Sequence, residues 1–287
     1  MPMLPVPGCL LSPYLLPTSV PPADVGALAA AQVRLRLDPP LRDRVLALLA
    51  DGEVPVEVCR ADDFPALEAP WLTAFGATET ELCVLRTASH VVRVQATHRP
   101  HGPTAHHWAG RAVAYALACA LSAPVVDERL PRVLGARELL ESLPGPDGAL
   151  PMSRWVVALQ SPDARGFWCT TSGLDRFGLP ELQVLDIPPV VAELWAVTIT
   201  ALAQRVVQIW DAEVRARPGA AFVPLPDVVA VSAADVETAY RRRPAGHGTV
   251  ELRLALDVEG PRGPTFLTVR EPDHLAVCDA LFGALER

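Results

Sequence analysis

The sequence contains no lysine and no asparagine among its 287 residues, and its positive charge is carried by 25 arginines. Without lysine, the chain cannot form a Schiff base with a substrate carbonyl, and it lacks the phosphate-binding lysine of P-loop proteins and the ATP-binding lysine of protein kinases. Without asparagine, it has no N-glycosylation acceptor. These absences exclude several classes of enzyme and modification before any motif is considered.

Clustered positive charge is also scarce. The net charge is −8, and the densest basic run is Arg241 to Arg243. Non-specific nucleic-acid binding needs several clustered cations, and three arginines in a row are more typical of a solvated helix end. Half of the residues are hydrophobic and 20% are charged, which is typical of a folded chain with a sizeable core. We therefore expect a globular protein with no nucleic-acid partner.

The sequence has no paired cysteine motif. No CxxC spacing occurs, and several cysteines lie within apolar runs, where a thiol behaves as a small hydrophobic group. This placement predicts reduced thiols and a cytoplasmic location. The N-terminal residues contain several prolines and no basic n-region, so no export signal is expected. The six cysteines are Cys9, Cys59, Cys83, Cys119, Cys169 and Cys278.

Long uninterrupted hydrophobic runs are absent as well. The apolar stretch from Val190 to Trp210 is interrupted by Glu193, Gln204 and Arg205. Its apolar residues recur on one helical stripe, which predicts a core-facing helix rather than a membrane span. We therefore expect no membrane partner.

Two strands followed by a long helix recur three times along the sequence. Hairpins are predicted at 81–87 with 90–97, at 154–160 with 166–171, and at 249–258 with 265–269. The helices after them are predicted at 104–122, 189–214 and 272–286, with a further strand at 181–186 and a turn at 260–264. Hairpins joined to helices indicate an α+β fold, with an antiparallel or mixed sheet and helices packed mainly on one face.

The organisation into domains is less clearly marked. Residues 1–28 are rich in proline and poor in charge, which predicts an N-terminal arm or an irregular strand that covers apolar surface. Residues 29–287 are expected to form a single α+β globular unit. The proline- and glycine-containing segment 141–153 is the best candidate for an internal boundary or a long loop.

Five of the seven histidines lie between residues 90 and 107. A predicted strand ends near His98, a turn contains His101, and a helix begins with His106 and His107, so their side chains can converge on a divalent metal such as zinc. The helix N-terminus favours neutral imidazole, which is the form that binds metal. However, the spacing matches no standard zinc signature, and the cluster contains no acidic residue. A hydrogen-bonded polar turn is the simpler interpretation.

Asp127 and Glu128 follow a predicted buried strand. An acidic pair at a strand end can act in acid–base chemistry. It is more typical of a helix cap or a solvated turn, so we assign it no catalytic role.

The segment from Trp168 to Val184 is the most distinctive part of the chain. Cys169 and Ser172 suggest a nucleophile, but the segment has neither a GxSxG elbow nor a cysteine–histidine family signature. Gly173 and Gly178 instead predict a turn held by neighbouring apolar residues. No catalytic residue is therefore predicted here.

The same segment resembles bacterial protein families. The run Thr171 to Leu174, the pair Phe177 and Gly178, and the run Pro180 to Val184 resemble the pattern Thr-x-Gly-Leu, Phe-Gly, Glu-Leu of bacterial domain-of-unknown-function proteins. More distantly, they resemble bacterial suppressor-of-fused-like domains. The resemblance extends over about residues 80–215. Some suppressor-of-fused-like members are thought to be immunity or partner-binding proteins, so the resemblance implies binding and carries over no catalytic residue.

The leading hypothesis from the sequence is a non-enzymatic module without a cofactor that binds another protein, in an immunity-like or regulatory role. The residues expected to contribute to binding are Trp168, Thr171, Ser172, Arg176 and Glu181. The alternative is a metal-assisted hydrolase whose candidate ligands are His98, His101, His106 and His107.

Overall fold

The computed structural model describes residues 1–64, 69–102, 105–130, 132–145, 148–242, 244, 246–258 and 265–283. This part of the chain contains nine α-helices and 13 β-strands in antiparallel and mixed sheets, which confirms the predicted α+β class. It divides into two compact units: residues 9–143 form the N-terminal unit, and residues 1–8 with 144–287 form the C-terminal unit. The boundary after Leu143 lies within the segment 141–153.

The described helices are α1 (Val25–Arg36), α2 (Pro39–Ala50), α3 (Ala69–Ala74), α4 (Glu79–Thr87), α5 (Ala105–Leu121), α6 (Ala136–Glu141), α7 (Ala192–Ala216), α8 (Ala233–Tyr240) and α9 (His274–Phe282). The described strands are β1 (Met3–Pro5), β2 (Leu10–Thr18), β3 (Val56–Arg60), β4 (His90–His98), β5 (Val125–Asp127), β6 (Arg132–Leu134), β7 (Val157–Pro162), β8 (Phe167–Ser172), β9 (Glu181–Ile187), β10 (Phe222–Pro224), β11 (Val228–Ser232), β12 (Thr249–Val258) and β13 (Thr265–Val269).

The five strands of the N-terminal unit pair in the order β3-β4-β2-β5-β6, and every neighbouring pair is antiparallel. On one face, α5 packs across β4 and β2, with α1, α2 and α6 beside it. The close approach of α5 to the sheet requires a small residue on the helix. A Cβ added at Gly110 would lie 3.1 Å from Ala96 Cβ of β4 and 3.2 Å from the Tyr14 ring of β2. On the opposite face, Leu82 of α4 packs in one cluster with Leu15 of β2.

The strand β2 is a regular strand, which differs from the arm or irregular covering strand predicted for residues 1–28. It lies at the centre of the five-stranded sheet and pairs with β4 along its whole length, starting with Leu10 opposite His98. The strand contains Pro13 and Pro17, and proline is uncommon in central strands. These prolines favoured an arm or an irregular strand over the regular central strand that the sheet contains.

The helix α4 differs from the strand predicted at 81–87. The Thr78 hydroxyl accepts a hydrogen bond from the Glu81 N–H, and the Glu81 carboxylate accepts one from the Thr78 N–H. This reciprocal capping box stabilises the first turn of a helix. The first predicted hairpin is therefore wrong, and β4 pairs with β2 and β3 instead.

The six main strands of the C-terminal unit pair in the order β11-β12-β13-β9-β8-β7. The hairpins β7–β8 and β12–β13 and the strand β9 confirm the remaining strand predictions. β9 and β13 pair in parallel, which joins the two hairpins into one mixed sheet. The predicted turn at 260–264 and residues 284–286 of the last predicted helix lie outside the described residues. β1 and β10 form a separate two-stranded sheet.

The helix α7 forms the centre of the C-terminal unit and packs against β7, β8 and β9. Within the described residues, the segment Pro189–Ala216 alone is long and apolar enough to cross a membrane, with a mean hydropathy of 1.5 over its most apolar window. However, 67% of that window is buried inside the protein. Trp195, Leu202 and Trp210 are all buried. The helix is therefore core-facing, as the sequence predicts.

Candidate functional site

The two faces of the six-stranded sheet differ in what covers them. One face carries the buried side chains Leu182, Leu254 and Leu267 and packs against α7 and α9. By strand alternation, the other side chains of these strands point away from those helices. We call this second surface the open face. Its partly or well exposed members are Leu159, Trp168, Gln183, Leu185, Asp257 and Phe266, and Thr170 and Thr268 lie buried among them.

A continuous row of hydrogen bonds crosses the open face. The Trp168 indole N–H donates to Gln183 Oε1 over 3.1 Å, and Gln183 Nε2 donates to Thr268 Oγ1 over 2.8 Å. The Thr268 hydroxyl then donates to the Asp257 carboxylate, which also pairs with the Arg270 guanidinium. The row connects the four adjacent strands β8, β9, β13 and β12 and ends at Arg270. Each polar group in it is thereby held in position by a neighbour.

Apolar side chains lie beside this polar row. The rings of Trp168 and Phe266 meet edge to face, with centroids 6.4 Å apart. Leu159 is 36% exposed and Leu185 is 42% exposed. The open face therefore presents apolar area next to fixed donors and acceptors, an arrangement suited to contact with another molecule.

The turn predicted between Gly173 and Gly178 is confirmed. The two glycines have φ angles of 112° and 81°, in the left-handed region that side chains with a Cβ rarely adopt. Leu174 to Phe177 form a short 3₁₀ helix between them. The Phe177 ring is buried, with its centroid 6.0 Å from that of Trp155. The glycines set the backbone of this turn, and the phenylalanine anchors it in the core.

Glu181 fastens the turn to the sheet. Its carboxylate accepts hydrogen bonds from the Thr171 hydroxyl at 2.7 Å, the Gly173 N–H at 2.8 Å and the Leu174 N–H at 3.0 Å. Burial raises the pKa of Glu181, whereas the hydrogen bonds from Thr171 and Gly173 act to lower it. Glu181 therefore has a structural role, because it connects the backbone of the turn to strand β8.

The five residues predicted to bind a partner have different environments. Trp168 and Ser172 are half-buried and reach the surface of the protein, and Glu181 is partly exposed beside them. Thr171 and Arg176 are buried. Thr171 and Arg176 are therefore part of the folded interior, and Glu181 binds Thr171. The contribution of all five residues to partner binding stays a prediction.

Cys169 is not placed to act as a nucleophile. Its side chain is fully buried on the core side of β8. Burial raises the pKa of its thiol to about 11, so the thiol is protonated at neutral pH. The nearby Ser172 is only partly buried, and its hydroxyl is not on the same strand face as Cys169.

The structure brings three of the four candidate histidine ligands together. His98 Nε2 lies 3.0 Å from His107 Nδ1, and their rings meet edge to face with centroids 4.4 Å apart. The rings of His98 and His106 are nearly parallel, with centroids 5.8 Å apart. His106 Nε2 contacts the carboxylate of Glu53. His101 is exposed.

Three nitrogens of this cluster are engaged in hydrogen bonds, whereas His98 Nδ1 is buried without a hydrogen-bond partner in the part of the chain that the structure describes. His98 Nε2 and His107 Nδ1 share a hydrogen bond, and His106 Nε2 bonds to Glu53. Burial, and secondarily the nearby His106, lower the pKa of His98 to about 4, so His98 is neutral at pH 7. Among the described residues, no group of three or more His, Cys, Asp or Glu side chains is arranged to hold a metal ion. Metal binding by the four histidines therefore stays a prediction.

Several residues of both sites were not identified from the sequence. Gln183, Thr268, Asp257 and Arg270 each look like ordinary polar residues of a half-exposed strand or its end. Glu53 precedes the histidines by more than 40 positions in the chain, yet it supplies the acidic group that the local cluster lacks. Only the pairing of distant strands and loops brings these residues to their partners.

No protein-family model, curated protein or solved structure matches this chain. The resemblance of residues 171–184 to bacterial families is thus neither strengthened nor weakened. The function is therefore inferred from the geometry of the open face and the histidine cluster.

Proposed function

We propose that this protein is a non-enzymatic module that binds another protein through the open face, in an immunity-like or regulatory role. The observation that carries the proposal is the row of hydrogen bonds from Trp168 to Arg270 across the open face, in which Thr268 is buried and the other members are partly or well exposed. Because these side chains are already held by one another, a partner does not have to order them on binding. Preorganisation of this kind lowers the entropic cost of association.

The composition of the open face supports the same proposal. Protein contacts combine an apolar centre with a polar rim, and buried aromatic residues contribute much of the binding energy. Trp168 supplies a rigid aromatic group, and Leu159 and Leu185 supply exposed apolar area. The amide of Gln183 and the carboxylate of Asp257 supply directional hydrogen bonding.

The charges on this surface bear on the nature of the partner. Asp257 and Arg270 form an ion pair, so they largely neutralise each other. A partner surface that fits therefore carries an apolar side chain to cover Leu185 and uncharged hydrogen-bonding groups to reach Gln183. Because little net charge is involved, we expect the affinity to fall only modestly with added salt.

The proposal is tested by placing a charge on the open face. Leu185→Arg puts an unpaired cation where the partner would bury apolar surface. Leu35→Arg is the matched control, because Leu35 is 72% exposed on α1 of the N-terminal unit. The wild-type protein and both variants are used as baits in a lysate of the source organism, and the partner is then purified and its Kd measured by titration.

The expected result is a direct complex that Leu185→Arg weakens by at least about tenfold, a loss of about 1.4 kcal/mol of binding free energy, and that Leu35→Arg leaves intact. Thermal unfolding of both variants confirms that they fold. A partner that binds Leu185→Arg as tightly as wild type contradicts the assignment of the open face.

A metal-assisted hydrolase is the second candidate function. The observation that favours it is the convergence of His98, His106 and His107 with Glu53, since imidazoles bind zinc and a carboxylate can act as a general base. The hydrogen bonds within the cluster have to be exchanged for metal bonds before such a site forms. This requirement makes the second candidate the weaker one.

Elemental analysis of tag-free protein separates the two candidates. Stoichiometric zinc, manganese or iron that is lost in His98→Ala and retained in His101→Ala would support the hydrolase, since His101 is exposed and outside the convergent group. Wild-type protein that takes up no stoichiometric metal on dialysis against zinc would exclude it.

A further inference from the structure

The N-terminal unit contains an apolar cavity of about 230 Å³ between its sheet and the helices α3 and α4. Leu15 of β2 and Val91 of β4 line the side formed by the sheet, and Leu72, Leu82 and Leu85 line the side formed by the helices. The cavity is partly open to solvent and its lining is mainly apolar, so an apolar ligand would exchange contact with water for dispersion contacts with these side chains.

Arg86 gives this cavity a polar end. Among the described residues that line it, Arg86 alone is charged. Its side chain is 56% exposed and pairs with the carboxylate of Glu79, which is itself largely exposed. A guanidinium carries five N–H donors, so it can bind a second carboxylate beside that of Glu79.

We propose that this cavity binds a small amphipathic carboxylic acid, with its hydrocarbon chain among the leucines and its carboxylate on Arg86. A dry cavity of about 150 Å³ accommodates benzene, so a cavity of this volume accommodates roughly eight carbon atoms. Octanoate has this length. Because Arg86 is paired with Glu79, selection rests on its remaining N–H donors, from which a carboxylate can accept hydrogen bonds and an ammonium group of the same chain length cannot. The site belongs to the N-terminal unit and does not depend on the open face.

The ligand class is tested by calorimetric titration of the full chain with octanoate, 1-octanol and octylamine. We expect octanoate to bind most tightly. Arg86→Gln should weaken octanoate about tenfold, as expected for a charge-assisted hydrogen bond, and should leave 1-octanol unchanged. Glu79→Gln should strengthen octanoate because it removes a competing carboxylate. Arg60→Gln is the matched control, since Arg60 forms an exposed ion pair with Asp62 and does not line the cavity.

The location is tested by filling the cavity. Leu85→Trp adds volume at a half-buried lining position, and Ala61→Leu adds it at another. Each variant that retains the wild-type circular dichroism spectrum should lose binding of both octanoate and 1-octanol by at least about tenfold. If neither filled variant folds, the comparison of octanoate and 1-octanol binding to Arg86→Gln tests the proposal instead.

Three results would overturn the proposal. The first is the absence of saturable octanoate binding to the wild-type protein at millimolar concentration. The second is unchanged octanoate affinity in a folded, filled variant. The third is a loss in Arg86→Gln that is equal for octanoate and 1-octanol, which would show that the guanidinium does not recognise the carboxylate.

Discussion

Arg111 and Asp127 form an ion pair in which both side chains are fully buried, with Arg111 Nη2 2.9 Å from Asp127 Oδ2. Arg111 Nε also donates to the Tyr14 hydroxyl over 3.1 Å. The second oxygen of Asp127 accepts from the backbone N–H groups of Arg129 and Leu130. The pair therefore connects α5 to β2 and β5, and it gives Asp127 a structural role at the end of its strand.

Removing one member of this pair should destabilise the protein strongly. Asp127→Ala leaves the Arg111 guanidinium buried without its counter-ion, which typically costs about 3–5 kcal/mol of unfolding free energy. Asp62→Ala removes a partner of the exposed Arg60 and should cost less than about 1 kcal/mol. Urea denaturation of the two variants checks the difference. Equal midpoints would show that the buried pair contributes no more than a surface pair.

The turn between Gly173 and Gly178 should be sensitive to substitution. Gly173→Val forces a β-branched residue to adopt a φ of 112°, at a cost of about 1–3 kcal/mol. Phe177→Ala empties a buried site against Trp155 and should cost about 3–5 kcal/mol. Ser172→Ala, at a partly buried position on the preceding strand, should lower the thermal midpoint far less. A loss of partner binding in Ser172→Ala at unchanged stability would instead identify the turn as a binding site.

The six thiols should differ in reactivity. The structure contains six free cysteines, of which Cys9 and Cys83 are exposed, whereas Cys169 and Cys278 are buried. Burial raises the pKa of Cys169 to about 11 and that of Cys278 to about 12. We expect alkylation at pH 8 to modify Cys9 and Cys83 first and to reach the two buried thiols only after denaturation, when all six react. Peptide mass spectrometry measures the order, and early labelling of Cys169 would contradict its burial.

His98 should make stability depend on pH. Its pKa is about 4 in the folded protein, chiefly because of burial, and about 6.5 in an unfolded chain. The unfolded state therefore takes up a proton between pH 6.5 and 4 that the folded state does not. The resulting stabilisation is complete above pH 6.5 and is lost as the pH falls through this window, by about 3 kcal/mol.

His98→Gln removes the titrating ring at this position, so its free energy of unfolding should fall less steeply from pH 7 to pH 4 than that of wild type. His101→Gln is the control, because His101 is exposed and lies outside the buried contact between His98 and His107. Denaturant titrations at several pH values give these profiles. Parallel curves for His98→Gln and wild type would show that His98 has an ordinary pKa.

Features that depend on neighbouring residues could be predicted from the sequence. The hairpin of β12 and β13 follows from its alternating apolar residues, and its observed strands match the predicted ranges 249–258 and 265–269. The turn at Gly173 and Gly178 follows from the conformational freedom of glycine. The exception is α4, where the short apolar run from Leu82 to Leu85 indicated a strand although a capping box was present in the sequence.

Features that depend on long-range pairing could not be predicted. The hydrogen-bonded row on the open face exists only because β13 pairs in parallel with β9, which places Thr268 beside Gln183. The contact between Glu53 and His106 joins positions on separate loops and helices. No local pattern encodes either arrangement, because the partners contribute to each other's environment only after the sheets form.

The pairing of β1 with β10 constrains when the N-terminal strand can fold during synthesis of the chain. Met3 pairs with Pro224, so the first strand emerges from the ribosome long before its partner is translated. At about 5–20 residues per second, the delay is roughly 10–45 s, during which the continuous segment 9–143 is complete and can fold. A nascent chain released before residue 224 would leave Leu4, which is fully buried in the finished protein, without the strand that covers it.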